Sequence, residues 1–263
     1  MSILIKNGQV VTASETYIAD IYTEGENMFE LLLKPLTRQF FIQGNVINGY
    51  LISYLSLNML WVHIPVLLVI VTADMISGEL DNGTIRSLLC STHTRSQWLF
   101  AKIFASYFYI FVFMLFAGIV MIIPSLIIFG AGDLIVFYNG LQVILSEDVI
   151  PKFIGALAFG MLGMITFSSI SIMFSVLLKN SLAAILASLG VLIVSTMLQT
   201  FAFGIFESWK PVLFTHHMAQ WQQIFVQDVN LKNISISGLV LLIHMLLTST
   251  IAFLQFNRMK ITQ

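Results

Sequence analysis

Charge is what this sequence lacks most. Only 10% of its 263 residues are charged, whereas a soluble domain usually carries about 25%. So few charged side chains cannot cover a water-soluble globule, which argues strongly against a soluble enzyme. The formal net charge of -1 provides no basic field and argues against nucleic acid as a partner. A single cysteine excludes a disulfide scaffold, and 5 prolines beside 22 phenylalanines exclude collagen and disordered chains.

Long apolar runs take the place of the missing charge. Hydrophobic residues make up 58% of the chain, and the mean hydropathy is +0.92. Crossing the hydrocarbon core takes about 18 or more consecutive apolar residues, and five stretches meet that requirement. The sequence therefore predicts an all-α polytopic membrane protein, with spans at 50–73, 103–130, 153–178, 181–206 and 236–256.

Basic residues are distributed unevenly among the segments that connect these spans. Segments 74–102, 179–180 and 257–263 together hold six of the twelve lysines and arginines. Because cytoplasmic loops are enriched in Lys and Arg, we expect these three segments on the cytoplasmic side of a cell membrane. Five spans then place the N-terminus outside, although residues 1–49 carry no signal peptide.

The segment between the first two spans carries the most informative residues. Gly78 and the Asn82-Gly83 pair predict turns, and Thr84 predicts the cap of a short amphipathic helix at the inner membrane surface. On spacing alone, an ordinary interfacial helix with basic anchors explains this pattern as well as a partner-docking element does.

This segment resembles the permease subunits of type 2 ABC exporters, which are membrane proteins that work with a separate ATPase. The resemblance covers about residues 29–263 in order and spacing, except that Thr92 stands where the family usually has a proline. The matching residues are Gly78, Glu79, Gly83, Thr84, Arg86, Leu88, Leu89, Thr94, Arg95 and Lys102.

The resemblance implies a division of labour between subunits. Two permease subunits, identical or different, would form the export path, and two ATPase subunits would bind the cytoplasmic loop. This chain has no Gly-x-x-x-x-Gly-Lys-Ser/Thr loop for nucleotide phosphates, so ATP and its hydrolysis belong to the partner. We therefore expect no catalytic, cofactor or metal site here, and a location in the bacterial inner membrane. The expected ATPase-coupling residues are Gly78, Glu79, Gly83, Thr84, Arg86, Arg95 and Lys102.

Residues 1–28 have a different character from the rest. Their alternation predicts a strand, a turn at Asn7-Gly8 and a second strand. They resemble the start of dihydropyrimidinase- and hydantoinase-type amidohydrolases, but residues 1–49 contain no histidine to bind that family's metals. We expect two parts, 1–28 and 29–263, in which the enzyme-like piece replaces the first span of the permease family. A chimeric gene explains this arrangement, and a coincidental β-like segment is the alternative.

One face of the third predicted span combines small and hydroxyl-bearing residues. Small residues four apart let helices approach closely, and hydroxyls can bond across them. The face indicates either plain packing within the chain, which we favour, or a dimer or path-lining surface. Its members are Ala156, Gly160, Gly163, Ser168, Ser171 and Ser175.

Two other functions compete with ATP-driven export. A gradient-driven secondary transporter would need acidic residues within the spans, and none of the five has one. A truncated, non-functional permease fragment would explain the missing first span.

Overall fold

In the part of the chain that the computed structural model describes, five helices are long and apolar enough to cross a membrane, which confirms the number that the sequence predicts. The chain is a multi-pass membrane protein. The structure describes residues 3–11, 16–23, 45–85, 94–138, 141–201, 209–227 and 229–259. The helices are α1 (Gly49–Asp81), α2 (Arg95–Phe129), α3 (Ser146–Leu178), α4 (Ser181–Phe201), a short α5 (Phe214–Met218) and α6 (Leu231–Arg258).

The spanning helices extend past most of the predicted span boundaries. Helix α1 continues to Asp81, and α2 begins at Arg95, eight residues before the predicted span. The early start of α2 is explained by a capping box, in which the Thr94 hydroxyl and the Gln97 side chain each accept the other residue's backbone N–H. The length of an apolar run therefore reflects the thickness of the hydrocarbon core, whereas capping groups decide where the helix begins and ends. The last five residues of the fourth predicted span, 202–206, lie outside the described residues.

Helices α3 and α4 form a tight hairpin, as the two-residue gap between the third and fourth predicted spans requires. Only Lys179 and Asn180 separate them. Lys179 takes a left-handed conformation with φ 57°, and its N–H donates to the Ser175 carbonyl at 3.3 Å. The Asn180 side chain then accepts the Ala183 N–H at 2.9 Å and caps the start of α4.

Helix α3 lies at the centre of the bundle. In its most apolar stretch 61% of the residues are buried, against 17% in α4 and in α6. It packs against α1, α2, α4 and α6. The outward faces of α2, α4 and α6 carry exposed Phe, Leu and Ile side chains, as expected of surfaces that face lipid.

A β-hairpin that the sequence does not predict lies at the end of the bundle opposite the α1–α2 connection. Strands β3 (Leu134–Phe137) and β4 (Leu141–Ile144) pair antiparallel between α2 and α3. The buried Asn48 caps α1 by accepting the Leu51 N–H, and its amide donates to the Asp133 carbonyl at 2.7 Å. We call this end of the bundle the hairpin end.

The segment between α4 and α6 folds back into the bundle. Residues 207–235 lie between the fourth and fifth predicted spans, and in the structure α5 and the 3₁₀ helix Ala219–Phe225 are packed against the spanning helices. The rings of Phe214 and Phe167 stack with centroids 6.3 Å apart, and Trp221 contacts Trp61 at 4.9 Å. Burial of these aromatic side chains holds the segment inside the bundle.

The N-terminal residues form a β-hairpin, as the alternation predicts, but the predicted turn position is wrong. Strand β1 (Ile3–Val11) runs through Asn7-Gly8 and pairs antiparallel with β2 (Thr16–Thr23). The register shifts between Ile5 and Gly8, so the glycine lies at an irregularity of the strand. A glycine within a strand pattern often marks such a bulge.

A substitution at Gly49 tests the close approach of α1 to α2. A Cβ at this residue would lie 2.5 Å from the Ser125 carbonyl oxygen, which is backbone and cannot rotate away. We expect Gly49→Ala to lower the free energy of unfolding by about 1–3 kcal/mol through overpacking. The matched control is Gly190→Ala in α4, where an added Cβ meets nothing within 4 Å. Thermal unfolding in detergent measures both variants, and equal melting temperatures would contradict the packing.

The buried His217 of α5 makes the stability of the folded-back segment depend on pH. Its Nε2–H donates to the Pro211 carbonyl at 2.7 Å, and its Nδ1 accepts from the Ser237 hydroxyl at 3.0 Å. Burial lowers the pKa of His217, and the charge of His244 adds to this, while the Pro211 hydrogen bond opposes it. The pKa of the neighbouring His216 is lowered by burial and then by His217 and Lys210.

Because the unfolded chain binds these protons more tightly, stability is complete above about pH 6.5 and falls as the pH drops through the folded-state pKa values. We expect the melting temperature in detergent to fall on acidification, and His217→Gln to reduce that fall. His216→Gln is the comparison and should remove part of the remaining slope. A double variant with the wild-type slope would show that other groups titrate.

Candidate functional site

Three separate parts of the chain meet at the end of the bundle away from the hairpin end, which we call the loop end. The Asn180 side-chain amide donates to the Asp81 carboxylate at 3.2 Å, joining the α3–α4 turn to α1. The Arg95 guanidinium donates to the Met259 carbonyl at 2.8 Å, joining the start of α2 to the end of α6. These are the three segments whose basic residues predict a cytoplasmic position.

A salt bridge joins the two predicted coupling residues Glu79 and Lys102. The Lys102 ammonium lies 2.5 Å from Glu79 Oε1, and both side chains are 26% exposed. The pair connects the last turns of α1 to the first turns of α2 across the predicted loop. Glu79 Oε1 is therefore engaged within the chain, and Oε2 is buried with no hydrogen-bond partner among the described residues.

Gly78 does not form the turn that the sequence predicts, because α1 continues through it to Asp81. Its role is steric. A Cβ at Gly78 would lie 2.6 Å from Asp74 Oδ1, so the glycine leaves room for that carboxylate, which accepts a hydrogen bond from Ser181.

The predicted turn at Asn82-Gly83 is confirmed. Asn82 ends α1, and Gly83 takes φ 69°, a left-handed conformation that favours glycine. The Thr84 hydroxyl donates to the Glu79 carbonyl at 3.2 Å and ties the turn to α1. Arg86 and the amphipathic helix predicted after Thr84 fall on residues 86–93, outside the described residues.

Arg95 belongs to a contact between α2 and α6 that sequence reasoning misses. Arg95 donates to the Met259 carbonyl. In the same contact, the Trp98 ring stacks on Phe256 with centroids 5.2 Å apart and an interplanar angle of 12°. The Ser96 hydroxyl donates to Asn257 Oδ1 at 3.3 Å. The four-residue spacing of Trp98 and Lys102 places them on one face of α2. No local signal points to residues of α6 about 160 positions away.

An apolar cluster lies beneath these polar contacts. It draws buried side chains from α1, α2, α3 and α6 into one layer, so the loop end is a packed surface and not a set of independent helix ends. Its members are Ile76, Ile85, Leu99, Ile172, Val176, Ala252, Phe256 and Met259.

The face of small and hydroxyl-bearing residues predicted on α3 is buried within this chain. Ser168 bonds Ser106 of α2 at 2.6 Å, and Ser175 accepts the backbone N–H of Ser77 of α1 at 2.7 Å. Ser171 is fully buried, and its hydroxyl has no hydrogen-bond partner in the part of the chain that the structure describes.

The small residues of the same face leave room for large side chains from neighbouring elements. A Cβ at Gly160 would lie 2.8 Å from the Trp61 ring, and one at Gly163 would lie 2.9 Å from Met218. Ala156 is buried in the same cluster as Trp221. Contacts within the chain therefore cover this face from Ala156 to Ser175.

Comparison with curated proteins and with solved structures found no match for this chain. A family described as "Protein of unknown function (DUF2705)" matches residues 34–262, which include all five spanning helices and the whole loop end. The chain therefore belongs to the DUF2705 family.

Proposed function

We propose that this protein is the membrane-spanning permease subunit of an ATP-driven ABC exporter in the bacterial inner membrane. The observation that carries the proposal is the loop end, where the predicted coupling residues Glu79, Arg95 and Lys102 belong to one packed surface. A subunit driven from outside the membrane needs such a surface, because force applied to a loose loop would not reach the spans.

The proposed ATPase contact is the loop from residue 74 to residue 102. The Glu79–Lys102 salt bridge fixes where the chain leaves α1 and where it enters α2, so the connection between them starts and ends on fixed supports. Residues 86–93 between these supports include Arg86, one of the basic motif positions. In this proposal Glu79 shapes the docking surface from within, and exposed residues of the loop make the direct contact.

The positions of the carboxylates favour ATP-driven over gradient-driven transport. In the described helices Asp74, Glu79 and Asp81 lie near the loop end of α1, and Glu147 and Asp148 lie in the first turn of α3. Proton- or sodium-coupled carriers place ionisable groups near the middle of the membrane. The partners in this proposal are a separate ATPase and a second permease subunit, the latter covering part of the outward apolar faces of α2, α4 and α6.

Substitution of Glu79 tests the proposal. We expect affinity-tagged chain, purified from its native membranes in mild detergent, to carry ATP-hydrolysing activity that the chain itself lacks. Glu79→Ala should reduce that activity several-fold, because it releases Lys102 and the loop supports. A partly exposed salt bridge contributes about 0–1 kcal/mol to stability, so the melting temperature should change little.

Glu147→Ala provides the matched control, since it removes an exposed carboxylate at the hairpin end. It should leave the co-purifying ATP hydrolysis unchanged. Wild-type chain that binds no ATPase would overturn the proposed function. Equal ATP hydrolysis with Glu79→Ala and Glu147→Ala would overturn the role of the loop while leaving the transporter class intact.

A further inference from the structure

Four side chains form a continuous ladder across the loop end, in the order Phe256, Trp98, Lys102 and Glu79. Each is in contact with the next, and together they connect α6 to α2 and α2 to α1. We infer that Trp98 is a positioning residue of the coupling loop, which aligns Lys102 with Glu79 according to the position of α6. This inference rests on the proposed function and assigns to it a residue outside the motif that carries the resemblance.

The first step of the ladder fixes the Trp98 ring. Its near-parallel stack on the fully buried Phe256 occupies one face of the indole. The Arg95 and Ser96 hydrogen bonds to the end of α6 hold the backbone on the same side. The ring is thus held by α6 and not only by its own helix. A stacked pair of this kind contributes beyond the area that it buries.

The second step fixes the Lys102 ammonium. Lys102 Nζ lies 5.4 Å from the centroid of the Trp98 ring, within the range at which a cation is attracted to an aromatic face. A lysine side chain has four rotatable bonds and, when free, samples many positions. The indole face restricts that freedom and keeps the ammonium beside Glu79 Oε1. Trp98 therefore acts on Glu79 through Lys102.

The ladder explains how the loop and the last helix can respond together. A displacement of the end of α6 moves Phe256, and the stacked Trp98 ring follows it. The ammonium over that ring then shifts relative to Glu79, which changes the relation between α1 and α2 at the loop. The ladder joins the first, second and last of the five spans, and the loop between the first two is the point of coupling.

Two substitutions of Trp98 separate positioning from packing. Trp98→Phe keeps a ring that can stack on Phe256 and attract the ammonium, whereas Trp98→Leu keeps apolar bulk without an aromatic face. We expect Trp98→Leu to lower the ATP hydrolysis of the purified complex about two- to fivefold, the size that loss of a cation–π contact gives. Trp98→Phe should restore most of it, and both variants should melt close to the wild type. The matched control is Trp209→Leu, which replaces an exposed tryptophan outside the loop end.

A second measurement does not depend on the ATPase. Ser96 and Asn257 are replaced by cysteine in a Cys90→Ser background, and disulfide formation is followed in membranes under mild oxidation. The Ser96 hydroxyl and Asn257 Oδ1 are 3.3 Å apart, so the two positions face each other across the contact between α2 and α6. Adding Trp98→Leu should slow its formation, because α6 is then less firmly held against α2, and adding Trp98→Phe should not.

These outcomes distinguish the proposed function from the positioning role of Trp98. Wild-type chain without an ATPase would remove the proposed function, and the crosslinking rates would still test the ladder. If Trp98→Leu and Trp98→Phe give the same ATP hydrolysis and the same crosslinking rate, Trp98 is a packing residue and the inference is wrong. Two substitutions of Lys102 test the positive charge in an otherwise wild-type chain. Lys102→Arg keeps the charge and should retain ATP hydrolysis, whereas Lys102→Met removes it and should lower ATP hydrolysis as Trp98→Leu does.

Discussion

The fold depends on α3 satisfying polar groups in a place where water is absent. An unpaired hydroxyl or amide in hydrocarbon costs several kcal/mol, so such groups must find partners inside the chain. Helix α3 meets this constraint at three hydroxyls by turning them towards different neighbours, whereas the Ser171 hydroxyl has no partner among the described residues. Ser168 bonds α2, Ser175 bonds the backbone of α1, and Thr166 reaches the Leu241 carbonyl of α6 at 3.2 Å. These bonds set the rotation of α3, and the small residues on the same face set how closely the others approach.

The two ends of the bundle are stabilised by different chemistry. At the hairpin end, side chains cap backbone groups: Asn48 bonds the Asp133 carbonyl, and Lys152 donates to the Ile224 and Val226 carbonyls. At the loop end, charged and aromatic side chains bond mainly to one another. Backbone capping favours a single rigid arrangement, whereas side-chain contacts can be remade with small rotations. This contrast agrees with the proposed function, in which force from the ATPase enters at the loop end.

The parts of the fold that follow from local pattern could be predicted, and the parts that depend on distant contacts could not. The number of spans and the Lys179-Asn180 turn follow from hydropathy and spacing. The turn predicted at Gly78 is wrong because a glycine need not break a helix, and this one makes room for the Asp74 carboxylate within α1. The burial of the α5 segment was missed because its polar residues are typical of an exposed loop, and its aromatic residues find their partners on α1 and α3.

The candidate site likewise has parts that could be predicted from the sequence and parts that could not. Glu79 and Lys102 could be proposed from the motif, but their mutual salt bridge could not, because the sequence does not show how α1 and α2 are rotated. The role of Trp98 could not be predicted for a similar reason. Its ring acquires a role only when the end of α6 lies against it, and that contact is a product of the whole bundle.

The short α3–α4 connection has a consequence for how the membrane bundle is assembled. Helix α4 buries little of its surface, and packing alone holds it weakly. With two residues between the helices, however, its first turn cannot leave the last turn of α3, and the effective concentration of one helix beside the other is very high. Helix α4 is thus held beside α3 by its tether as well as by its packing against α1 and α3.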